Sequence, residues 1–107
     1  MHLLTKDLYS VKPIETDKWE VTLADENHPV FKAHFENNPL LPAFLQIDIF
    51  AEIQNREISK IERCKFKQPI FPNDIVEYKI NKQHENSYRI YITKNTTICS
   101  ELKIDFK

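Results

Sequence analysis

Apolar and polar positions alternate through the first part of the chain. Leu8 to Ile14 and Trp19 to Ala24 read as two strands, with Val21 and Leu23 set between polar neighbours as a half-buried strand requires. A hairpin around Glu15-Thr16-Asp17-Lys18 joins them. From Asp25 to Leu41 the chain turns polar, with Pro29 and Pro39 and the aromatics Phe31 and Phe35. That is a long irregular segment, and such segments inside compact domains are usually functional. A helix is predicted from Pro42 to about Arg56, because proline suits a first helical turn where its missing N–H costs nothing. Ala43, Phe44, Leu45, Ile47, Ile49, Phe50, Ala51 and Ile53 make its first turns apolar almost all round, the mark of an enclosed helix. After Arg56 the period returns to two, with Ile61, Arg63, Lys65 and Lys67 alternating with Glu62, Cys64, Phe66 and Gln68. Further strands are expected at Ile75–Asn81, Tyr88–Lys94 and Thr97–Phe106, with turns at Pro72-Asn73-Asp74, Glu85-Asn86-Ser87 and Asn95-Thr96. The order is β-β-loop-α-β-β-β-β: one buried helix against an antiparallel sheet, an α+β architecture.

With 107 residues, 41% hydrophobic and 29% charged, the chain reads as one globular domain spanning residues 1–107. A domain of this size buries only about 60–70% of its unfolded surface, which favours a dimer. Fifteen basic and sixteen acidic residues carry no nucleic-acid signature. No stretch approaches the roughly 20 apolar residues of a membrane span. Lys6 and Asp7 after only Leu3-Leu4 do not make a signal peptide. A cytoplasmic protein is expected. Cys64 and Cys99 stand alone, without CxxC spacing, and read as buried thiols in strands. His2, His28, His34 and His84 form no HxxxH or HExxH pair, so neither a metal nor another cofactor is implied. The chain has no glycine. Turns needing positive φ must use Asn or Asp; Asn27, Asn37, Asn38, Asn73, Asn81, Asn86 and Asn95 sit where turns are expected.

The chemistry concentrates between His34 and Asp48. Asp48 is an acid within an apolar helix, flanked by Phe44, Leu45, Ile47, Ile49 and Ala51. Burial there disfavours its charged form and suits it to act as a general acid near neutral pH. His34, in the proline-punctuated loop, can act as a base. The helix start at Ala43-Phe44 offers free backbone N–H groups and a positive dipole end to a thioester carbonyl gaining negative charge. Base, acid and oxyanion donor together describe elimination of water from a 3-hydroxyacyl thioester.

The segment His34-Phe35-x-x-x-Pro39-x-x-Pro42-Ala43-x-Leu45-x-x-Asp48 resembles the β-hydroxyacyl-acyl-carrier-protein dehydratases of the hot-dog superfamily, in a short form. Their motif runs HFxGxPxxPGxLxxE, or D for E, with the same interval between histidine and acid. Lys65-Phe66-Lys67-Gln68-Pro69-Ile70-Phe71-Pro72-Asn73-Asp74 resembles the family's F-x-x-P-V-x-P-G-D strand and turn. The resemblance implies a hot-dog fold, a curled antiparallel β-sheet wrapped around one long central helix. It implies a homodimer, or a higher oligomer, with shared sites in which His34 of one subunit faces Asp48 of the other across an acyl tunnel. Phe35, Pro42, Ala43 and Phe44 would bind substrate, with the Ala43 N–H as carbonyl donor. Three residues depart from the pattern. Ala43 and Asn37 replace motif glycines, and Glu52 sits one turn after Asp48, where a glutamine often supports the acid.

Two other readings stay open on this fold: acyl-thioester hydrolysis, which can proceed without the histidine, and a non-catalytic acyl-binding or dimer-partner subunit. Arg63, Lys65 and Lys67 with Lys60 form a basic strand face that could dock an acyl-carrier protein, with a CoA thioester as the alternative substrate; an ordinary solvated face is the competing reading. No nucleic-acid or membrane partner is expected.

Overall fold

The computed structural model describes residues 3–33 and 39–107. After a 3-10 turn at Leu3–Thr5 come strands β1 (Tyr9–Glu15) and β2 (Lys18–Leu23) and helices α1 (Pro29–Ala33) and α2 (Ala43–Gln54). Four strands follow: β3 (Ile58–Phe66), β4 (Ile75–His84), β5 (Ser87–Lys94) and β6 (Thr97–Phe106). They form one six-stranded sheet in the order β1-β2-β4-β5-β6-β3, antiparallel at every pairing. The predicted succession of strands and helix is therefore the observed one. The polar stretch from Asp25 to Leu41 is not wholly irregular, since it holds α1, too short to announce itself by periodicity. The main helix has 12 residues, fewer than the expected span from Pro42 to Arg56. It stops where Asn55 enters the left-handed region at φ 53°. There the Asn55 N–H donates to Glu52 O at 3.1 Å and the Arg56 N–H to Ala51 O at 3.2 Å, closing the last turn.

The core follows from the alternation. Val21 and Leu23 of β2, Val76, Tyr78 and Ile80 of β4, Ile90 and Ile92 of β5, and Leu102, Ile104 and Phe106 of β6 cluster with Leu45, Ile49 and Phe50 of α2. Each such side chain contributes roughly 1.5–3 kcal/mol on burial.

Turns without glycine use the expected substitutes in part. Asn73 and Asn95 take positive φ, as do Asp7, Asn55 and Thr96, whereas Asn27, Asn81 and Asn86 do not. Asn37 and Asn38 lie outside the described residues. Asn95 (φ 50°) and Thr96 (φ 70°) form the two-residue loop of the β5–β6 hairpin. Positive φ at both central residues is what a type I′ turn demands, and a β-branched residue meets that demand with strain.

β1 and β3 are the sheet edges. β1 carries Pro13, which cannot donate to a further strand. β3 departs from strict alternation, because register shifts between Ile58 and Lys60 and between Ile61 and Arg63 each absorb an extra residue. Ile61 thus pairs with Ile104 on the core side, and Arg63 with Lys103 on the outer side. The expected single face of Ile61, Arg63, Lys65 and Lys67 is corrected by that bulge. Ile61 and Phe66 (paired with Ser100) lie on the helix side of the sheet, yet remain 48% and 44% exposed.

Candidate active site

The two sequence segments singled out above meet in space. The Leu41 N–H, just before α2, donates to Ile70 O at 2.7 Å. The Pro69–Asp74 turn is locked in its own right. The Asp74 carboxylate accepts from the Phe71 N–H at 2.8 Å and from Lys94 Nζ at 2.8 Å, and Lys94 also lies 5.0 Å from the Phe71 ring centroid.

Behind the start of α2, Gln46 is 4% exposed and belongs to a polar network. Its Oε1 accepts from Ser100 Oγ at 2.6 Å, its Nε2 donates to Leu41 O at 3.4 Å, and its carbonyl accepts from Tyr78 Oη at 2.9 Å. Burial drives the Tyr78 phenol pKa far upward, so the hydroxyl stays a donor. The helix is therefore pinned to β4 and β6, and the loop before it to the helix and to the Ile70 carbonyl.

The helix start is open. Pro42 precedes it in an extended conformation and no side chain caps it. The first helical N–H with a carbonyl partner among the described residues is that of Leu45, at 3.1 Å from Pro42 O. The Ala43 and Phe44 amides belong to the first turn, where an α-helix leaves its N–H groups without intrahelical partners. Pro42 is buried, Ala43 exposed, and Phe44 is 47% exposed. This corrects the picture of an enclosed helix. Leu45, Ile49 and Phe50 turn inward, whereas Phe44, Asp48 and Glu52, spaced four apart, share a face that the other described residues cover only in part, Phe44 exposed and the two acids half-buried.

Asp48 is half-buried on that face, in an open groove of about 710 Å³ with Ala51, Glu52, Asn55, Arg56, Glu57 and Ile58. Of its apolar sequence neighbours, Leu45, Ile47 and Ile49 are buried, whereas Ala51 lines the groove beside it and Phe44 is exposed. Glu52 takes two hydroxyl donors, Thr5 Oγ1 at 2.5 Å and Tyr9 Oη at 2.8 Å. Burial first, then the Glu52 hydrogen bond and charge, push the Tyr9 phenol pKa well above its ordinary value. Arg56 is drawn to the far end of the sheet. It donates to Asn86 Oδ1 at 2.7 Å and to Tyr88 Oη at 3.1 Å, with its guanidinium 4.6 Å from the Phe106 ring centroid.

His34 and Phe35 lie outside the described residues. The two cysteines are free thiols, Cys99 buried and Cys64 half-buried in their strands. Burial raises both thiol pKa values, which makes them poor nucleophiles. The basic face is regrouped by the β3 bulges. Arg63 and Lys65 share a shallow outer pocket with Arg89, Glu101 and Lys103. Lys67, past the end of β3, pairs with Glu101 at 2.7 Å, and Lys60 pairs with Glu62 at 3.2 Å. Lys67, with Lys65 and Arg89 beyond it, holds the Glu101 carboxyl below its ordinary range.

Against this geometry the comparisons with known proteins are decisive for the family. The profile of the ApeI-like family, described as ApeI dehydratase, matches residues 12–103. The chain belongs to the ApeI-like dehydratase family. Among named relatives, the 3-hydroxyacyl-[acyl-carrier-protein] dehydratase FabZ of Nitrobacter hamburgensis is 33% identical over 67 residues, 49% of this chain and 44% of that protein. The match therefore spans less than half of that relative's length. FabZ of Ehrlichia ruminantium is 27% identical over 97 residues, covering 73% of this chain and 67% of its own.

Among solved structures, the dehydratase heterocomplex ApeI:P from Xenorhabdus doucetiae superposes with a TM-score of 0.70 at 25% identity, covering 91% of this chain and 93% of that one. The PaaI protein of the E. coli phenylacetic acid degradation operon shares the fold, with a TM-score of 0.63 at 14% identity over 96% of this chain and 86% of its own. The ApeI-like architecture is thus a hot-dog fold, with a six-stranded antiparallel sheet against a helix.

Two features of the site went unread in the sequence. Gln46 carried a signal, since a lone amide in an apolar helix needs partners. Thr5 and Tyr9 carried none, lying far from Glu52 along the chain.

Proposed function

We propose that this ApeI-like protein eliminates water from 3-hydroxyacyl thioesters to give trans-2-enoyl thioesters. The observation that carries the reading is Asp48, half-buried one turn beyond an uncapped helix start and opening into a groove. His34 takes the proton from the α-carbon while the thioester carbonyl, polarised by the Ala43 N–H, accepts the developing charge. Asp48 protonates the 3-hydroxyl, which leaves as water as the double bond forms. Phe35, Pro42 and Phe44 shape the entry. Substrate arrives on an acyl-carrier protein, whose acidic surface meets Arg63, Lys65, Arg89 and Lys103.

The exposed apolar groups near α2 and β3 support a dimer. Phe44, Ile61 and Phe66 are exposed apolar side chains on the helix side of the molecule, and β3 is a free sheet edge. A second copy joined edge to edge through β3 buries these groups and brings a partner His34 toward Asp48. Such a contact also withdraws the Asp48 carboxyl further from water.

A spectrophotometric hydration–dehydration assay on thioesters of several chain lengths tests the reaction. Turnover lost in both His34→Ala and Asp48→Asn is expected; thioester cleavage that survives His34→Ala speaks instead for hydrolysis. Light scattering tests the dimer, and a monomer with full activity rejects the shared site. Charge reversal at Lys65 and Arg89 should raise KM for a carrier-bound substrate alone; an equal rise with a CoA thioester rejects the docking face.

A further inference from the structure

Glu52 departs from the family pattern, and its surroundings show what the departure does. Its carboxylate is not left to solvent. One oxygen accepts from Thr5 Oγ1 and the other from Tyr9 Oη, so the group is fixed between the N-terminal 3-10 turn and β1. Thr5 is 5% exposed, so the clamp is built into the fold. Both hydroxyls act as donors, which a charged carboxylate satisfies and a glutamine amide would satisfy at one atom only.

Glu52 stands four residues from Asp48 on the same helix face and lines the same groove. Side chains at this spacing are neighbours, about 5–6 Å apart at Cβ. Among the described residues, the other charged groups lining the groove are engaged with further partners. Arg56 is held by Asn86, Tyr88 and the Lys107 carbonyl, and the Glu57 carboxylate lies 3.6 Å from Lys107 Nζ. Asn55 and Ile58 complete the lining without charge, and Thr5 and Tyr9 approach through Glu52 itself.

We infer that Glu52 is a positioning residue, a negative charge fixed by Thr5 and Tyr9 that keeps the neighbouring Asp48 protonated and ready to donate. The inference rests on the reading of Asp48 as the acid. A neutral glutamine one turn away orients an acid by hydrogen bonding, whereas a fixed anion disfavours the acid's ionised form. This chain then sets the protonation of its acid with a charge in its own subunit, whatever a second copy adds by desolvation.

The test is to follow the Asp48 side-chain carboxyl carbon by NMR across pH, in the wild type, Glu52→Gln and Tyr9→Phe, with pH–rate profiles measured alongside. In Glu52→Gln the Asp48 midpoint should fall by roughly 0.2–0.4 pH unit. The limb of kcat/KM that requires a protonated acid should move down with it, and the rate at low pH should stay within a few-fold of wild type. Tyr9→Phe, which keeps the charge but releases one tether, should move the midpoint less and in the same direction. An Asp48 midpoint unmoved in Glu52→Gln, or a rate lowered equally at every pH, overturns the inference in favour of a structural role. If the wild type turns over no thioester, the dehydratase reading fails, while the Asp48 midpoints still decide for or against Glu52.

Discussion

The two faces of α2 contrast in how deeply they hold their polar groups. On the inner face Gln46 finds Ser100 and Leu41 within the chain, and its carbonyl holds the Tyr78 hydroxyl. On the outer face Asp48 and Glu52 border an open groove, with exposed Phe44 one turn before them. A buried polar group matched by its own fold serves stability and register. A carboxyl held half-buried at an opening is available to something that enters. The same helix therefore anchors with one side and presents chemistry with the other.

The sharpest way to break this division is Asp48→Asn. Dehydration should fall at least about 100-fold, the scale of a lost general acid, with the thermal midpoint within a few degrees of wild type. A large loss of stability with activity retained would make the outer face structural as well.

Gln46→Leu probes the inner side, keeping volume while removing both amide atoms. The Ser100 hydroxyl is then buried without its acceptor, at a cost of about 2 kcal/mol, or roughly 8–16 °C in thermal midpoint for a domain of this size. Adding Ser100→Ala should restore most of the loss, because removing both partners of a buried hydrogen bond is far milder than removing one. If the double variant is no better than the single one, Gln46 acts by packing rather than through Ser100.

The two tyrosines allow the faces to be compared by pH. Burial raises both phenol pKa values in the folded protein, Tyr78 on the inner side and Tyr9 on the outer. A group whose folded pKa is raised contributes stability that is complete below its unfolded value, here about 10. That contribution is lost as pH climbs from there toward the folded value. Unfolding free energy should therefore decline above about pH 10. Tyr78→Phe should flatten the decline more than Tyr9→Phe, since Tyr78 is fully enclosed. Equal flattening would mean that the outer side is as closed as the inner.

How much of this was legible in the sequence depended on range. The strands and the Asn95-Thr96 turn follow from local alternation and φ requirements and appear within a few residues of where expected. Pro42 is the extended residue before α2 and not part of its first turn. The β3 bulges were not legible, because a register shift is decided by the partner strand β6. Nor was the open face of α2, since a run of apolar residues looks enclosed whether its cover is this chain or another. At the site, spacing alone drew attention to His34 and Asp48. The Thr5–Glu52 contact joins residues 47 apart, and nothing local to either announces it. Gln46 lay in between: its need for partners could be read, their identity could not.

The smallest expected effect concerns the hairpin that carries Ser100 to Gln46. Thr96 sits at φ 70° in the β5–β6 loop, four residues before Ser100. Left-handed backbone costs a residue with a Cβ roughly 1–2 kcal/mol, and a β-branched residue is a poor occupant of a type I′ turn. Glycine removes that cost but gives back part of the gain as unfolded-state entropy. Thr96→Gly should then stabilise the fold by about 1 kcal/mol, visible as a rise of a few degrees in thermal midpoint. Because the hairpin supports only the inner anchor, the pH–rate profile should not move. A shift in that profile would show that strain in the hairpin reaches Asp48 through Ser100 and Gln46, so that the two faces of α2 are coupled rather than divided in their labour.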